Sequence, residues 1–191
     1  MPEGGNALIG EYLKFMQILE QLKEVKREGW VKKGIKNGES VSDHMYRMAL
    51  MAMTIPLKPK TNQSGVGKEI NRIHAVMLTL VHDLAEAIVG DITPDCGISS
   101  EEKHFREENA MREISGLLSD SPFDLLELFL EYQRGETAEA QFVKDLDKLE
   151  FLFQARSYSE KYGIEMNDFI DCTIPKIKDK NLLRLYLKEQ V

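Results

Sequence analysis

Apolar residues recur at spacings of three and four along most of the chain, and the elements this pattern predicts are helices. In residues 6 to 25, Leu8, Tyr12, Phe15, Leu19 and Leu22 line one face of an amphipathic helix. The stretch REGWVKKGIKNGES, residues 27 to 40, breaks the period and reads as a loop. Ser40 with Asp43 three residues on makes a capping box with Asp in the place of Glu. It opens a helix that turns Met45, Met48, Ala52 and Ile55 inward and ends at Pro56 and Pro59. KPKTNQSGVG follows as a loop. From Lys68, Ile70, Ile73, Met77, Leu80, Val81, Leu84 and Ile88 predict one central helix that Gly90 stops. Ser99 and Glu102 cap a solvated helix with Phe105, Ile114 and Leu117 turned inward. A short helix over 122 to 132, a long one over 137 to 161 and two weaker ones over 165 to 178 and 180 to 189 complete the chain. With no alternating strand pattern and no internal repeat, the expected fold is all-α, a globular helix bundle.

Composition narrows the class. At 191 residues, 42% of them hydrophobic, the chain can bury one sizeable core, and a single domain over 1 to 191 is expected. A formal charge of −7 argues against coating a nucleic-acid polymer by bulk electrostatics. No stretch approaches the roughly 18 apolar residues of a membrane span, and no secretory leader is visible. Cys96 and Cys172 lack metal or redox spacing and fit a reducing compartment, so a cytoplasmic setting is expected.

The chemistry concentrates in LVHDLAEAIVGD, which sets His82, Asp83, Glu86 and Asp91 among apolar neighbours. Buried imidazoles and carboxylates are costly unless paired or metallated. His44 stands in the first turns of a core-facing helix, and Asp147 interrupts the apolar face of FVKDLDKLEFLF. Two His and two Asp from three helices suit one divalent ion, Mn, Co, Fe, Zn or Mg, better than a thiolate-seeking metal. Asp145 rivals Asp147 but lies about 200° away round the helix. His74 reads as a satisfied core histidine, His104 as solvent-facing, and the nine Met residues as adaptable core filling. Asp43 either caps its helix or supports a ligand.

The order His44, His82-Asp83, Asp147 resembles the HD-domain metal-dependent phosphohydrolases. More narrowly, GWVKKGIKNGESVSDHMYRMALMAM, LVHDLAEAIVGDITP, EEKHFREENAM and AQFVKDLD are similar to the eukaryotic HD domain-containing protein 2 group and the bacterial YfbR-type 5′-deoxynucleotidases. The likeness runs from about residue 11 to 175. It implies a helical HD-type fold and a homodimer, and one divalent cofactor (Co, Mn, Mg or Zn) on His44, His82, Asp83 and Asp147. The implied reaction is hydrolysis of nucleoside 5′-monophosphates, deoxyribose preferred. Glu86 and Asp91 are implied to be catalytic; our own expectation is that Glu86 orients or deprotonates the attacking water and Asp91 handles a proton on the substrate side.

Trp30 matches the tryptophan of an Arg-Trp pair that contacts nucleotide in the bacterial enzymes, but Gly29 occupies the arginine's place. Arg27 or Lys33 is the candidate replacement. The long helix over 137 to 161, with Phe142, Phe151, Phe153 and Tyr158, has apolar residues enough for both core and dimer interface. Three other readings compete. A guanosine-polyphosphate hydrolase commonly shows HD-x-x-E-D, whereas Ala87 follows Glu86 here, and a cyclic-dinucleotide phosphodiesterase would show further His ligands. A metal- and nucleotide-binding module would lack turnover, and a helical scaffold would carry no stoichiometric metal.

Overall fold

The computed structural model describes residues 4 to 56, 69 to 118 and 120 to 187. These form α1 (Gly4–Glu24), α2 (Glu28–Lys32), α3 (Val41–Thr54), α4 (Arg72–Val81), α5 (Glu86–Val89), α6 (Ser100–Gly116), α7 (Leu125–Arg134), α8 (Ala138–Tyr162), α9 (Asn167–Thr173) and α10 (Lys180–Leu187). Short 3₁₀ turns occupy Pro94–Cys96 and Ile174–Lys176. The only β pairing among the described residues is an isolated antiparallel bridge between Lys26 and Ser40. The all-α expectation therefore holds. The loop expected over KPKTNQSGVG lies outside the described residues, as do Pro59, the Lys68 start and the last two residues of the helix expected over 180 to 189.

Two compact units result. The first comprises Met1–Met45 and Leu80–Leu130, the second Tyr46–Thr79 and Glu131–Val191. In the first, α1 packs on α5 and α5 on α6. Of the face expected to point inward, Leu22 is buried, but Leu8 and Tyr12 are exposed, Tyr12 by 56%. Together with Ile9, Leu13 and Met16 they leave an apolar stripe on α1 open to solvent. On α6 the inward residues are Glu107, Ala110, Met111 and Ile114, while Phe105 faces outward. Residues 103, 107, 110, 111 and 114 share one helical face, on which Lys103 is half-buried.

Helix starts follow their caps. Ser40 N–H donates to Asp43 Oδ2 at 2.8 Å and Asp43 N–H donates to Ser40 Oγ at 3.1 Å, so Asp43 completes the capping box of α3. Ser99 Oγ accepts from Glu102 N–H, but Glu102 turns its carboxylate to Arg106, leaving that box half formed. Asp124, not Pro122, opens α7, its Oδ1 accepting from Leu126 and Glu127 N–H.

In the second unit α8 buries Val143, Leu146, Leu149, Leu152 and Ala155 and packs against α9 and α10. Phe151 meets Phe169 and Phe153 meets Tyr186, while Phe142 and Tyr158 are buried. Most apolar residues of α8 are thus taken up within the fold, while Phe151 and Phe153 are half-buried and Tyr162 is exposed. Apolar residues also stand open on α1 and on α3, where Tyr46, Leu50 and Met53 are exposed, because packing partners decide exposure and periodicity does not.

The largest departure falls at the chemistry. The single helix expected from Lys68 to Gly90 is broken at residues 82 to 85, where the chain forms turns. Leu84, Glu86, Ala87 and Ile88 N–H donate to the carbonyls three residues back, those of Val81, Asp83, Leu84 and Ala85. That overwinding is 3₁₀-like, and an apolar pattern with neighbours three apart fits it as well as an α-helix. Gly90 does stop α5, at φ 77° and ψ 170°, a backbone region open essentially to glycine alone.

Candidate metal centre and active site

The loop over 26 to 40 is closed at its base by the Lys26–Ser40 bridge, with Arg27 N–H on Glu39 O and Val41 N–H on Val25 O. Trp30 fills its middle, 1% exposed, with Nε1 donating to Glu39 Oε1 at 2.9 Å and its carbonyl accepting from Ile35 N–H. A Cβ on Gly38 would come within 3.3 Å of Trp30 Cβ, so a glycine lets the returning segment lie close against Trp30. In this structure Trp30 is enclosed within the loop it anchors. The same loop carries Arg27, whose Nη1 donates to Asp83 Oδ2 at 3.1 Å. Lys33 sits at the C-terminal end of α2, half-buried, and caps it through its backbone N–H.

The bridge and capping box place α3 so that His44, in its first turns, is fully buried. The turn after α4 supplies His82 and Asp83. His82 Nε2 lies 3.1 Å and His44 Nε2 3.8 Å from the same Asp83 Oδ2, and the two imidazole centroids are 5.6 Å apart. One donor atom from each of the three residues falls within 4.8 Å of the others. An octahedral ion with bonds near 2.1 Å sets neighbouring ligands about 3 Å apart, and the donor set of two imidazole nitrogens and one carboxylate fits it. Burial works against the Asp83 charge, but His82, Arg27 and His44 outweigh it and hold the carboxyl well below its usual range.

Glu86 stands at the start of α5, 3% exposed, and its Oε2 accepts no hydrogen bond among the described residues. Burial first, then the charges of Asp83 and Asp91, push its carboxyl well above the ordinary glutamate value, only partly offset by Arg27 and Lys103. Asp91, just past Gly90 and half-buried, accepts at Oδ2 from Glu28 N–H at 2.7 Å, tying its segment to the first turn of α2.

Asp147 lies on α8 in the second unit, half-buried. Its rival Asp145 is committed elsewhere, with Oδ1 accepting from Lys178 N–H and Oδ2 from Asp179 N–H to hold the entry to α10. His74 pairs with Glu131 at 2.7 Å within the second unit, a satisfied histidine. His104 is exposed, and both cysteines are free and exposed.

Sequence reasoning missed Lys103 and Glu107. Lys103 Nζ donates to Ile92 O at 2.7 Å and lies 3.4 Å from Glu107 Oε1. The signal was present, since the EEKHFREE stretch carries a Lys and a Glu four apart, on one helix face.

Two imidazoles and a carboxylate gathered about one point in an all-helical protein make a candidate metal centre of the kind helical folds build from facing elements. The HD-domain pattern matches residues 19 to 182, and the chain belongs to that family. It is 45% identical to the 5′-deoxynucleotidase HDDC2 of Homo sapiens over 177 residues, 91% of this chain and 81% of that protein. The protein of the same name from Dictyostelium discoideum is 42% identical over 86% of this chain and 89% of its own. Among solved structures, the PH0347 protein of Pyrococcus horikoshii OT3 superposes with a TM-score of 0.72 at 28% identity, covering 93% of this chain and 94% of that one.

Proposed function

We propose that this chain hydrolyses deoxyribonucleoside 5′-monophosphates to deoxynucleoside and phosphate with the help of one divalent cation. The observation that carries the reading is the meeting of His44, His82 and Asp83 donor atoms about one point, with Glu86 buried in the same unit. The relatives named 5′-deoxynucleotidases, similar over most of both chains, supply the substrate class. The family match runs across both units, which supports one HD domain built from them.

His44, His82 and Asp83 hold the cation, Co, Mn, Mg or Zn, and Asp147 is the fourth ligand by resemblance. When bound, such a cation lowers the pKa of water and screens the phosphate oxygens, without which two anions must meet. Arg27 stands in for the arginine missing at Gly29 and meets the substrate phosphate, with Lys33 adding charge and Trp30 holding the loop that carries both. Water attacks phosphorus as the bond to the 5′ oxygen breaks. Glu86, buried in the same unit, takes a proton from the water. Asp91, with one oxygen held by Glu28, returns a proton to the departing 5′ oxygen.

The test is phosphate release from a panel of deoxyribonucleoside and ribonucleoside 5′-monophosphates by chelator-stripped protein re-supplied with each of the four metals. Metal-dependent release favouring the deoxy series is expected, with a raised KM in Arg27→Ala. No release with any metal, despite one ion bound per chain, would reject the reading.

No helix among the described residues is long and apolar enough to cross a membrane. The reading places the protein in the cytoplasm, acting on single nucleotides, with neither membrane nor nucleic-acid polymer as partner. It also includes a homodimer, supported by the stripe of Leu8, Ile9, Tyr12, Leu13 and Met16 on α1, an apolar face of the kind that marks association. Light scattering should give twice the 21.9 kDa chain mass at micromolar concentration, falling to one chain mass in Leu13→Glu. A monomer in the wild type would reject it.

A further inference from the structure

We propose that Lys103 is a positioning residue of this site: bonded to the Ile92 carbonyl and paired with Glu107, it fixes the segment that carries Asp91 beside Glu86. The inference rests on the reading of Asp91 and Glu86 as the groups that handle protons.

The segment after α5 leaves the helix through the positive φ of Gly90, and its course is then set by ties rather than by a regular element. Asp91 Oδ2 takes Glu28 N–H at 2.7 Å. Ile92 buries its side chain, and its carbonyl takes Lys103 Nζ at 2.7 Å. Thr93 Oγ1 and Asp95 Oδ2 take Lys32 Nζ at 2.8 and 2.6 Å. Three of these bonds reach back to α2, and Lys103 supplies the one that reaches to α6.

The Lys103 tie differs in kind from the Lys32 tie. Asp95 is exposed, and an exposed ion pair holds its partners weakly. Lys103 is 35% exposed and its partner Glu107 only 6%. Burial opposes the ammonium, but Glu107, Glu86, Asp83 and Asp91 outweigh it and hold Lys103 above the ordinary lysine value, so it stays charged at neutral pH. Glu107 is in turn pushed up by burial and steadied chiefly by Lys103. One side chain therefore bonds the Asp91 segment, neutralises a buried glutamate and sits in the field of three site carboxylates. A charge-assisted bond from a partly buried donor restrains backbone more firmly than a neutral one. A shift of a proton-transfer group by about 1 Å is enough to cost about 10²-fold in rate.

The experiment compares Lys103→Met and Lys103→Arg with the wild type, each as metal-loaded full chain, using a deoxynucleoside 5′-monophosphate as substrate. Lys103→Met is expected to lower kcat roughly 10- to 100-fold while KM and the metal bound per folded chain change less than about twofold. Lys103→Arg, which keeps charge and donors, restores kcat to within about threefold. Wild-type kcat in Lys103→Met overturns the inference, as does a loss of activity matched by an equal loss of folded protein, which is what a merely structural lysine predicts. If Lys103→Met does not fold, Lys103→Gln is read by the same criteria. A wild type that releases no phosphate from any nucleotide overturns the parent reading and this inference together, whereas an active wild type with an unaffected variant overturns this inference alone.

Discussion

Asp83→Ala is expected to abolish metal retention and phosphate release together, with kcat/KM falling at least about 10³-fold, on the order of 4 kcal/mol of transition-state stabilisation. One oxygen explains the size of the effect. Oδ2 is the point shared by His82 at 3.1 Å, His44 at 3.8 Å and Arg27 at 3.1 Å. Removing it takes the carboxylate from the group of three in the first unit, whose other two members are neutral imidazoles when they ligate. It also leaves the Arg27 guanidinium, only 15% exposed, without this partner. Elemental analysis after gel filtration and a phosphate-release assay check both halves. Asp83→Asn, which keeps the side-chain volume, should behave in the same way, since an amide neither offsets a divalent charge nor pairs with arginine. An alanine variant that still holds one ion per chain and turns over within tenfold of wild type would remove Asp83 from the centre.

Glu86→Gln should lower kcat by about 10²- to 10⁴-fold with metal content intact, the range for loss of a positioned proton-transfer group. In the chelator-stripped protein the same substitution should raise stability at neutral pH. The sign follows from the raised pKa: the folded state favours the protonated carboxyl. The stability Glu86 contributes is therefore fully present below the unfolded value, near 4.5, and is lost as pH rises through the elevated folded value. Glutamine stays neutral throughout and loses nothing. Melting temperatures of stripped wild type and variant should thus coincide near pH 4 and separate in favour of the variant toward pH 8. A gap that is already full at pH 4, or that favours wild type at pH 8, would mean that burial and the Asp83 and Asp91 charges do not govern Glu86. An inactive yet more stable protein is the pattern of a residue retained for function at a cost in stability.

Both results depend on a bend that periodicity hid. The apolar residues Val81, Leu84, Ala85 and Ile88 satisfy an α-helix and a 3₁₀-like turn alike, so the pattern pointed to a continuous helix where the chain overwinds. Asp43 and Ser40 were legible because a capping box uses atoms three residues apart, and nothing distant competes for them. Phe105 and Tyr12 were misread because exposure depends on what packs against a face, not on the face itself. Lys103 went unread because a lysine on a helix reads as solvated until its ammonium is seen on Ile92 O.

By itself the sequence determined the helical class, the capping box of α3 and the stop at Gly90, and it singled out His44, His82, Asp83, Glu86 and Asp91 as candidates, since local periodicity, short-range hydrogen bonds and motif order are written along the chain. Tertiary structure alone decided that His44 meets Asp83, that Arg27 reaches the same oxygen, that Trp30 is an anchor, that Asp145 serves a distant turn and that Lys103 grips the Asp91 segment. Each of these is a contact between residues far apart in sequence. Such contacts form only when burial brings separate elements together, and no spacing along the chain encodes that distance.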